Sequence, residues 1–291
     1  MIFDLKSNAK INLGLNVTEL LPNGYHLLDM IMIPISLSDK ISGEIYDTIG
    51  DLEIKTDTAV IPTDKRNILY KIYEKFYSES GISPHKISLY LEKVIPHEAG
   101  LGGGSSNGAF FLKLLNRYHG DFFPMEKLLQ IGKSIGADIP FFLINKPARV
   151  RGIGEEIELI ENNLDMDIIV IKPPFGVSTA LAYKNVDNLQ NKKYADIPSI
   201  IKGLKENNLK LVENNIENNL EQGLLQVDTN IVDFRKILED TCGGRFFMSG
   251  SGSAYYTFVQ RHQSKEKVKA IKEHLQHCRV YLCSGLDEYI Y

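Results

Sequence analysis

The sequence predicts an α+β protein built as two domains. Three observations carry this prediction. Val, Ile and Leu recur with period two over the first 56 residues, the pattern of strands. Two loops of glycine and serine, at 100–106 and 249–253, interrupt otherwise regular segments. In the second half the order is strand, helices, strand, helix, strand, which suggests a sheet covered by helices on one face.

The elements follow in order. Pro22, Asn23 and Gly24 punctuate the strand-rich opening as a turn. Residues 67–79 place Ile68, Ile72 and Phe76, with Leu69 and Tyr73 beside them, on one helical stripe. Residues 86–92 alternate as a strand with Ile87, Leu89 and Leu91 on one face. The stretch 96–108 reads as a loop opening a helix, in which Phe111, Leu114, Leu115 and Tyr118 share a face. A short helix is expected at 125–134, broken by Gly136 to Pro140, then strands at 148–151 and 155–160. An asparagine-rich bend at 161–163 marks the expected boundary between a domain at 1–160 and one at 161–291. Beyond it the pattern gives a buried strand at 167–171 and helices near 178–184, 197–206, 216–225 and 230–239. A strand at 255–259, a helix at 264–276 and a strand at 279–283 complete the chain. The Asn- and Lys-rich stretch 185–221 reads as a solvated helical flank.

Composition narrows the function classes. A chain of 291 residues, 43% hydrophobic and 24% charged, can form a proper core. Lys and Arg number 33 against 37 Asp and Glu, a formal net charge of −4, which argues against a nucleic-acid binder held by bulk charge. The apolar runs at 139–144 and 168–171 fall far short of the ~20 residues that span a bilayer. The opening residues resemble neither a secretory signal nor a transit peptide, so the expected compartment is the cytoplasm. Three irregularly spaced cysteines suit buried thiols rather than disulfides or zinc, and no protein-held metal is expected.

Five features carry chemistry. Gly100-Leu101-Gly102-Gly103-Gly104-Ser105-Ser106 runs into a helix, where glycines permit close approach of a ligand and free N–H groups attract an anion. Its spacing is neither the GxxxxGK[ST] loop nor GxGxxG after a first strand. A glycine turn with a serine cap is the plain alternative. The second loop, Ser249-Gly250-Ser251-Gly252-Ser253, is either a turn or the facing wall of the same polyphosphate site. Asp138, in Gly-Ala-Asp-Ile-Pro, is either a cap or a carboxylate placed to polarise a hydroxyl. Asn8, Lys10 and Asn12 share one face of the first strand, and an inward Lys beside an Asp can hold a hydroxyl and a γ-phosphate together. Tyr25 and His26 follow an Asn-Gly turn and offer a stacking face and a hydrogen-bonding edge for a nucleobase.

Taken together, Ala-Lys-Ile-Asn, Asn-Gly-Tyr-His, Gly-Leu-Gly-Gly-Gly-Ser-Ser, Gly-Ala-Asp-Ile-Pro and Ser-Gly-Ser-Gly resemble the GHMP kinase superfamily, in the right order from Lys10 to Gly252. The resemblance implies an N-terminal ribosomal-protein-S5-like nucleotide domain and a C-terminal ferredoxin-like α+β domain. The first two motifs are similar to the branch that phosphorylates the 2-hydroxyl of 4-diphosphocytidyl-2-C-methyl-D-erythritol with ATP, in the non-mevalonate isoprenoid route. That implies ATP, with Mg2+ carried on it, no nucleic-acid or membrane partner, and a monomer or homodimer. Lys10 and Asp138 match the catalytic pair. Pro96, His97, Glu98, Ala99, Gly100, Leu101, Gly102, Gly103, Gly104, Ser105 and Ser106 match the ATP phosphate loop, with Asn67 and Asn107 near the adenosine. Asn12, Tyr25, His26, Thr179 and Tyr183 match the cytidine side, with Tyr183 expected to sandwich the cytosine against Tyr25. Gly250, Ser251 and Gly252 are expected to line the substrate from the C-terminal half. Two departures stand out: Glu98 places an acid beside the expected phosphates, and Asn107 stands where relatives carry Asp.

Overall fold

The computed structural model describes residues 1–286. Its first sheet grows from a long antiparallel hairpin, β1 (Ile2–Leu20) and β2 (His26–Ile49). Strand β2 is long enough to pair with β1 along one edge and with two strands along the other. These are β4 (His85–Glu92) against 40–49 and β5 (Ala148–Gly152) against 28–32. Strand β3 (Leu52–Thr56) joins β4 in parallel, and β6 (Glu156–Leu159) joins β5 antiparallel. The alternation expected at 86–92 is present, with Ile87, Leu89 and Leu91 buried.

Helices α1 (Ile68–Ser80), α2 (Gly103–Tyr118), α3 (Met125–Ile135) and α4 (Ile139–Ile144) contribute to one core with this sheet. Helix α2 begins earlier than its loop-like sequence suggests. Gly102 takes a left-handed φ of 71° and serves as the N-cap, so Gly103 to Gly108 form the first turns. Helix α3 stops at Ile135, where the break at Gly136 is expected, and a further short helix, α4, starts at Ile139 within that segment. Pro140 lies in its first turn, where a missing N–H costs nothing.

The second sheet runs β10 (Arg279–Ser284), β7 (Asp167–Lys172), β9 (Tyr255–Val259), β8 (Phe247–Met248). It is covered on both faces, not on one. Ile168, Val170 and Tyr256 share a core with Ile11, Leu13, Ile31 and Ile33 of the first sheet. Ile169, Ile171 and Tyr255 belong to the other core, with Phe234 of α9 (Thr229–Ile237) and Ile271 of α10 (Ser264–His274). The uninterrupted apolar run of β7 therefore serves two cores. The hydroxyl of Tyr256 donates to the backbone oxygen of Asn12 at 2.8 Å and joins the two sheets directly beside the site.

The remaining helices are α5 (Thr179–Asp187), α6 (Ile197–Lys205), α7 (Leu209–Asn215) and α8 (Asn219–Leu224). The asparagine-rich stretch is more than a solvated flank. Asn208 and Asn218 cap α7 and α8; α8 falls on the helix expected near 216–225, and α7 is a further helix between two expected ones. Asn218 is buried, and its amide donates to the carbonyls of Met248 and Gly250, pinning the second glycine loop.

Candidate active site

The main cleft, lined by β1, β2, the first glycine loop, α5 and the second glycine loop, has a volume of about 980 Å³. Lys10 lies at its floor on β1, buried. Its ammonium donates to Asn12 Oδ1 at 2.6 Å and to the carbonyl of Gly100 at 2.9 Å, and it stands 4.0 Å from Asp138 Oδ2. Burial pulls the Lys10 ammonium below its ordinary value, and the nearby Asp138 charge opposes that pull. Lys10 and Asn12 share the face the strand pattern predicts. Asn8 serves another contact: the pairing shifts register between Asn8 and Ala9, and its carbonyl oxygen accepts from Asn145.

Asp138 precedes α4 and makes no side-chain cap bond, so its carboxylate remains available to the cleft. The side chain is about one-third exposed, whereas that of Lys10 is 5% exposed. The chemical consequence is a fixed cation facing a reachable acceptor.

The glycine loop passes directly over Lys10. Gly102 has no room for a side chain: a Cβ there would lie 2.7 Å from the Phe142 ring. At Gly100 a Cβ would lie 1.9 Å from the carbonyl oxygen of Ser249, so the two glycine loops touch backbone to backbone. Hydrogen bonds close the junction, from Ser249 Oγ to Gly100 O at 2.9 Å and from Ala254 N to Ala99 O at 3.2 Å. No side chain caps α2, so its first N–H groups open towards the cleft. One residue further along α2, the Ser106 hydroxyl is buried and has no hydrogen-bond partner among the described residues.

Among the other residues expected at the nucleotide, Asn67 caps α1 through Leu69 N at 2.9 Å and also donates to Pro62 O. Asn107 is held by Ser7 and Asp39 beneath the loop. Pro96, His97, Glu98 and Ala99 line the cleft, and Glu98 takes a left-handed φ of 49°.

Sequence patterning did not find Lys93 and Asp39. Their buried ion pair lies under α2, and Asp39 also accepts the N–H groups of Val94 and Ile95 at 2.8 Å each. The Lys93 ammonium would sit 3.3 Å from a Cβ on Gly103, hard against the first turn of α2. An Asp within a strand and a Lys just after another carry no local signal; only the fold brings them together.

At the far end, His26 stacks on Tyr183 with ring centroids 4.7 Å apart. His26 Nε2 meets Asp187 Oδ1 at 2.7 Å. Tyr183 thus lies on His26, while Tyr25 stands 58% exposed at the rim. Burial raises the Tyr183 hydroxyl, and the charge of Asp138 adds to the rise. Thr179 Oγ1 and Ser251 Oγ lie 2.9 Å apart and link α5 to the second glycine loop. Gly250, Ser251 and Gly252 line the cleft. Asp187, which sequence analysis did not single out, stands at this end as the partner of His26.

A buried lysine facing a carboxylate beneath an open helix N-terminus defines, on this two-sheet fold, an ATP-dependent phosphotransferase of the GHMP kinase class. The profile of the GHMP kinases N terminal domain matches residues 67–146. Among curated relatives, 4-diphosphocytidyl-2-C-methyl-D-erythritol kinase of Fusobacterium nucleatum subsp. nucleatum is 48% identical over 287 residues, 98% of each chain. The same-named protein of Clostridium tetani is 37% identical, covering 90% of this chain and 92% of its own. A crystal structure of 4-(cytidine 5'-diphospho)-2C-methyl-D-erythritol kinase superposes with a TM-score of 0.79 at 26% identity, covering 97% of this chain and all of the other. A homoserine kinase from Cytophaga hutchinsonii shares the fold at 18% identity and a TM-score of 0.72. The chain belongs to the 4-diphosphocytidyl-2-C-methyl-D-erythritol kinase family.

Proposed function

We propose that this enzyme transfers the γ-phosphate of ATP to the 2-hydroxyl of 4-diphosphocytidyl-2-C-methyl-D-erythritol, with Lys10 and Asp138 at the reacting centre. The observation that carries the assignment is the buried Lys10 ammonium 4.0 Å from an uncapped Asp138 carboxylate, directly under the glycine loop. Phosphoryl transfer asks the protein mainly for alignment, charge stabilisation and exclusion of water. Asp138 accepts or orients the hydroxyl proton, and Lys10 offsets charge on the transferring group while favouring ionised Asp138.

The open first turn of α2 and the amides of Gly102 to Ser105 cradle the triphosphate. The donor set also suits magnesium carried by the nucleotide: the unpartnered Ser106 hydroxyl is the protein ligand that would hold it, with the phosphates supplying the rest. Bound there, the ion would supply neutralisation of phosphate charge. Among the described residues no group of three His, Cys, Asp or Glu could hold a metal alone. Asn67 and Asn107 act through their buried hydrogen bonds by fixing the walls around the adenosine.

The cytidine end is formed by Tyr25, His26, Tyr183 and Thr179, with Asn12 and Gly250 to Gly252 between it and the reacting centre. The 2.7 Å contact of His26 Nε2 with Asp187 Oδ1 orients the ring and leaves Nδ1 as the ring atom that meets the base. In this division of labour residues 1–160 supply the phosphate loop and the catalytic pair, and 161–291 close the cleft; the last five lie outside the described residues. No helix among the described residues is long and apolar enough to cross a membrane, and a metabolic kinase of this kind belongs in the cytoplasm.

The test is Mg-ATP-dependent ADP release with the cytidine substrate, run beside homoserine, mevalonate and galactose. Turnover with the cytidine substrate alone is the expected result. Turnover with another alcohol would leave Lys10, Asp138 and the loop in place but overturn the substrate.

A further inference from the structure

A second cavity, of about 640 Å³, lies behind the phosphate loop and shares Ile61, Lys93, Pro96 and His97 with the main cleft as a common wall. It lies within the range of small-molecule sites, about 300–1,000 Å³. Lys172 and Arg279 line it, together with His277. These two cations are direct cross-strand partners at the end of the β7–β10 pair. Like charges placed opposite each other on a sheet destabilise it. Among the described residues no carboxylate lies in ion-pair contact with Lys172 or Arg279.

Lys172 is 92% buried in spite of its charge. Its ammonium donates to the carbonyls of Pro173 and Phe175 at 2.9 and 2.5 Å, which leaves a third N–H. The guanidinium of Arg279 reaches the Tyr281 hydroxyl. Two acids stand nearby. Asp57 lines the cavity but accepts the Lys93 N–H at 3.1 Å, and Glu98 acts on Lys172 only from beyond contact distance. A buried cation opposed by a second cation, in a cavity with room for a ligand, is an arrangement that an anion relieves.

We propose that this cavity is a second anion site, separate from the ATP loop, which takes a phosphate group either as inorganic phosphate or as the head of a small phosphate monoester. Val60, Ile95 and Pro174 give it an apolar wall against which the body of an ester can lie. Burial, and after it the charge of Arg279, pull the Lys172 ammonium below its ordinary value, and a bound phosphate would reverse that pull. The inference stands apart from the identity of the alcohol substrate.

The test is isothermal titration of inorganic phosphate, and separately of n-butyl phosphate, into enzyme presaturated with Mg-AMP-PNP at constant ionic strength. Both should bind with the nucleotide loop already filled. Tighter binding of the ester by fivefold or more identifies an esterified ligand, and equal binding identifies free phosphate. Arg279→Gln should weaken either by at least fivefold while ADP release under saturating substrates stays within twofold. Lys172→Gln should do the same if it folds, and the exposed Arg279 keeps the test open if it does not. No binding up to 20 mM (~20 mM being a generous physiological ceiling for a metabolite site), or binding unchanged by Arg279→Gln, overturns the proposal.

Discussion

The two ends of the cleft are built differently. At the end proposed for phosphoryl transfer, Lys10 is buried with two hydrogen bonds and the glycine loops touch backbone to backbone. At the base end, Tyr25 is exposed on a turn, and His26 finds its partners, Tyr183 and Asp187, 157 and 161 positions further along the chain. The contrast follows the demands on each end. Charge developing on a transferring phosphoryl group is best met by groups that need no reorganisation, because reorganisation would add to the barrier. A nucleobase needs only recognition, and a rim that can open admits it and releases it.

The largest expected effect lies at the reacting end. Asp138→Asn should lower kcat by roughly 10³-fold with little change in the KM for ATP, because it removes an interaction made in transfer rather than in nucleotide binding. A near wild-type kcat would remove Asp138 from the chemistry. Next comes the backbone junction. Gly100→Ala must relieve a 1.9 Å clash with Ser249 O at a φ of 70°, and a loss of about 3 kcal/mol in denaturant unfolding is expected. Gly104→Ala, which meets nothing within 4 Å, should unfold as the wild type does. Equal stability of the two variants would show that the junction is not fixed.

The base end should respond more gently. Asp187→Ala frees the His26 ring, and the KM for the cytidine substrate should rise about fivefold with kcat within twofold. No change in KM would reduce the contact to a surface pair. The smallest effect is in pH. Lys10 titrates below its ordinary value, so the alkaline fall in kcat should begin below 10.5 and move upward in Lys10→Arg. The sign for stability is opposite: the unfolded chain holds this proton more tightly, so the contribution of Lys10 to stability improves as pH rises through the window between its folded and unfolded values. A pH–rate profile indifferent to Lys10→Arg would assign the alkaline limb to another group.

Much of the reacting end was legible because its signals are local. Three glycines in a row, an Asp after Gly-Ala and a Lys two positions before an Asn all lie within short windows of chain. Most of the order of strands and helices was legible for the same reason, while the short elements α4, α7 and β8 were not expected. What escaped depends on long-range pairing. The Lys93–Asp39 pair joins positions 54 residues apart, and Asp187 reaches His26 across the cleft. Asn218 looked like one polar residue among many, yet it pins the second glycine loop from a helix cap. Coverage of the second sheet on both faces was hidden too, since an apolar strand does not say what lies on either side of it. Pro140 reads as a breaker in sequence and opens a helix in the fold, because one residue type serves both purposes.

The most direct test of separable ends is a single steady-state comparison of Asp138→Asn and Tyr183→Ala, following ADP release as the cytidine substrate is varied. A fixed transfer end and an adaptable base end predict opposite signatures: kcat falls in Asp138→Asn with KM nearly unchanged, and KM rises about tenfold in Tyr183→Ala with kcat largely kept. If both variants change the same parameter to a similar extent, the cleft acts as one unit and the division drawn between its ends is wrong.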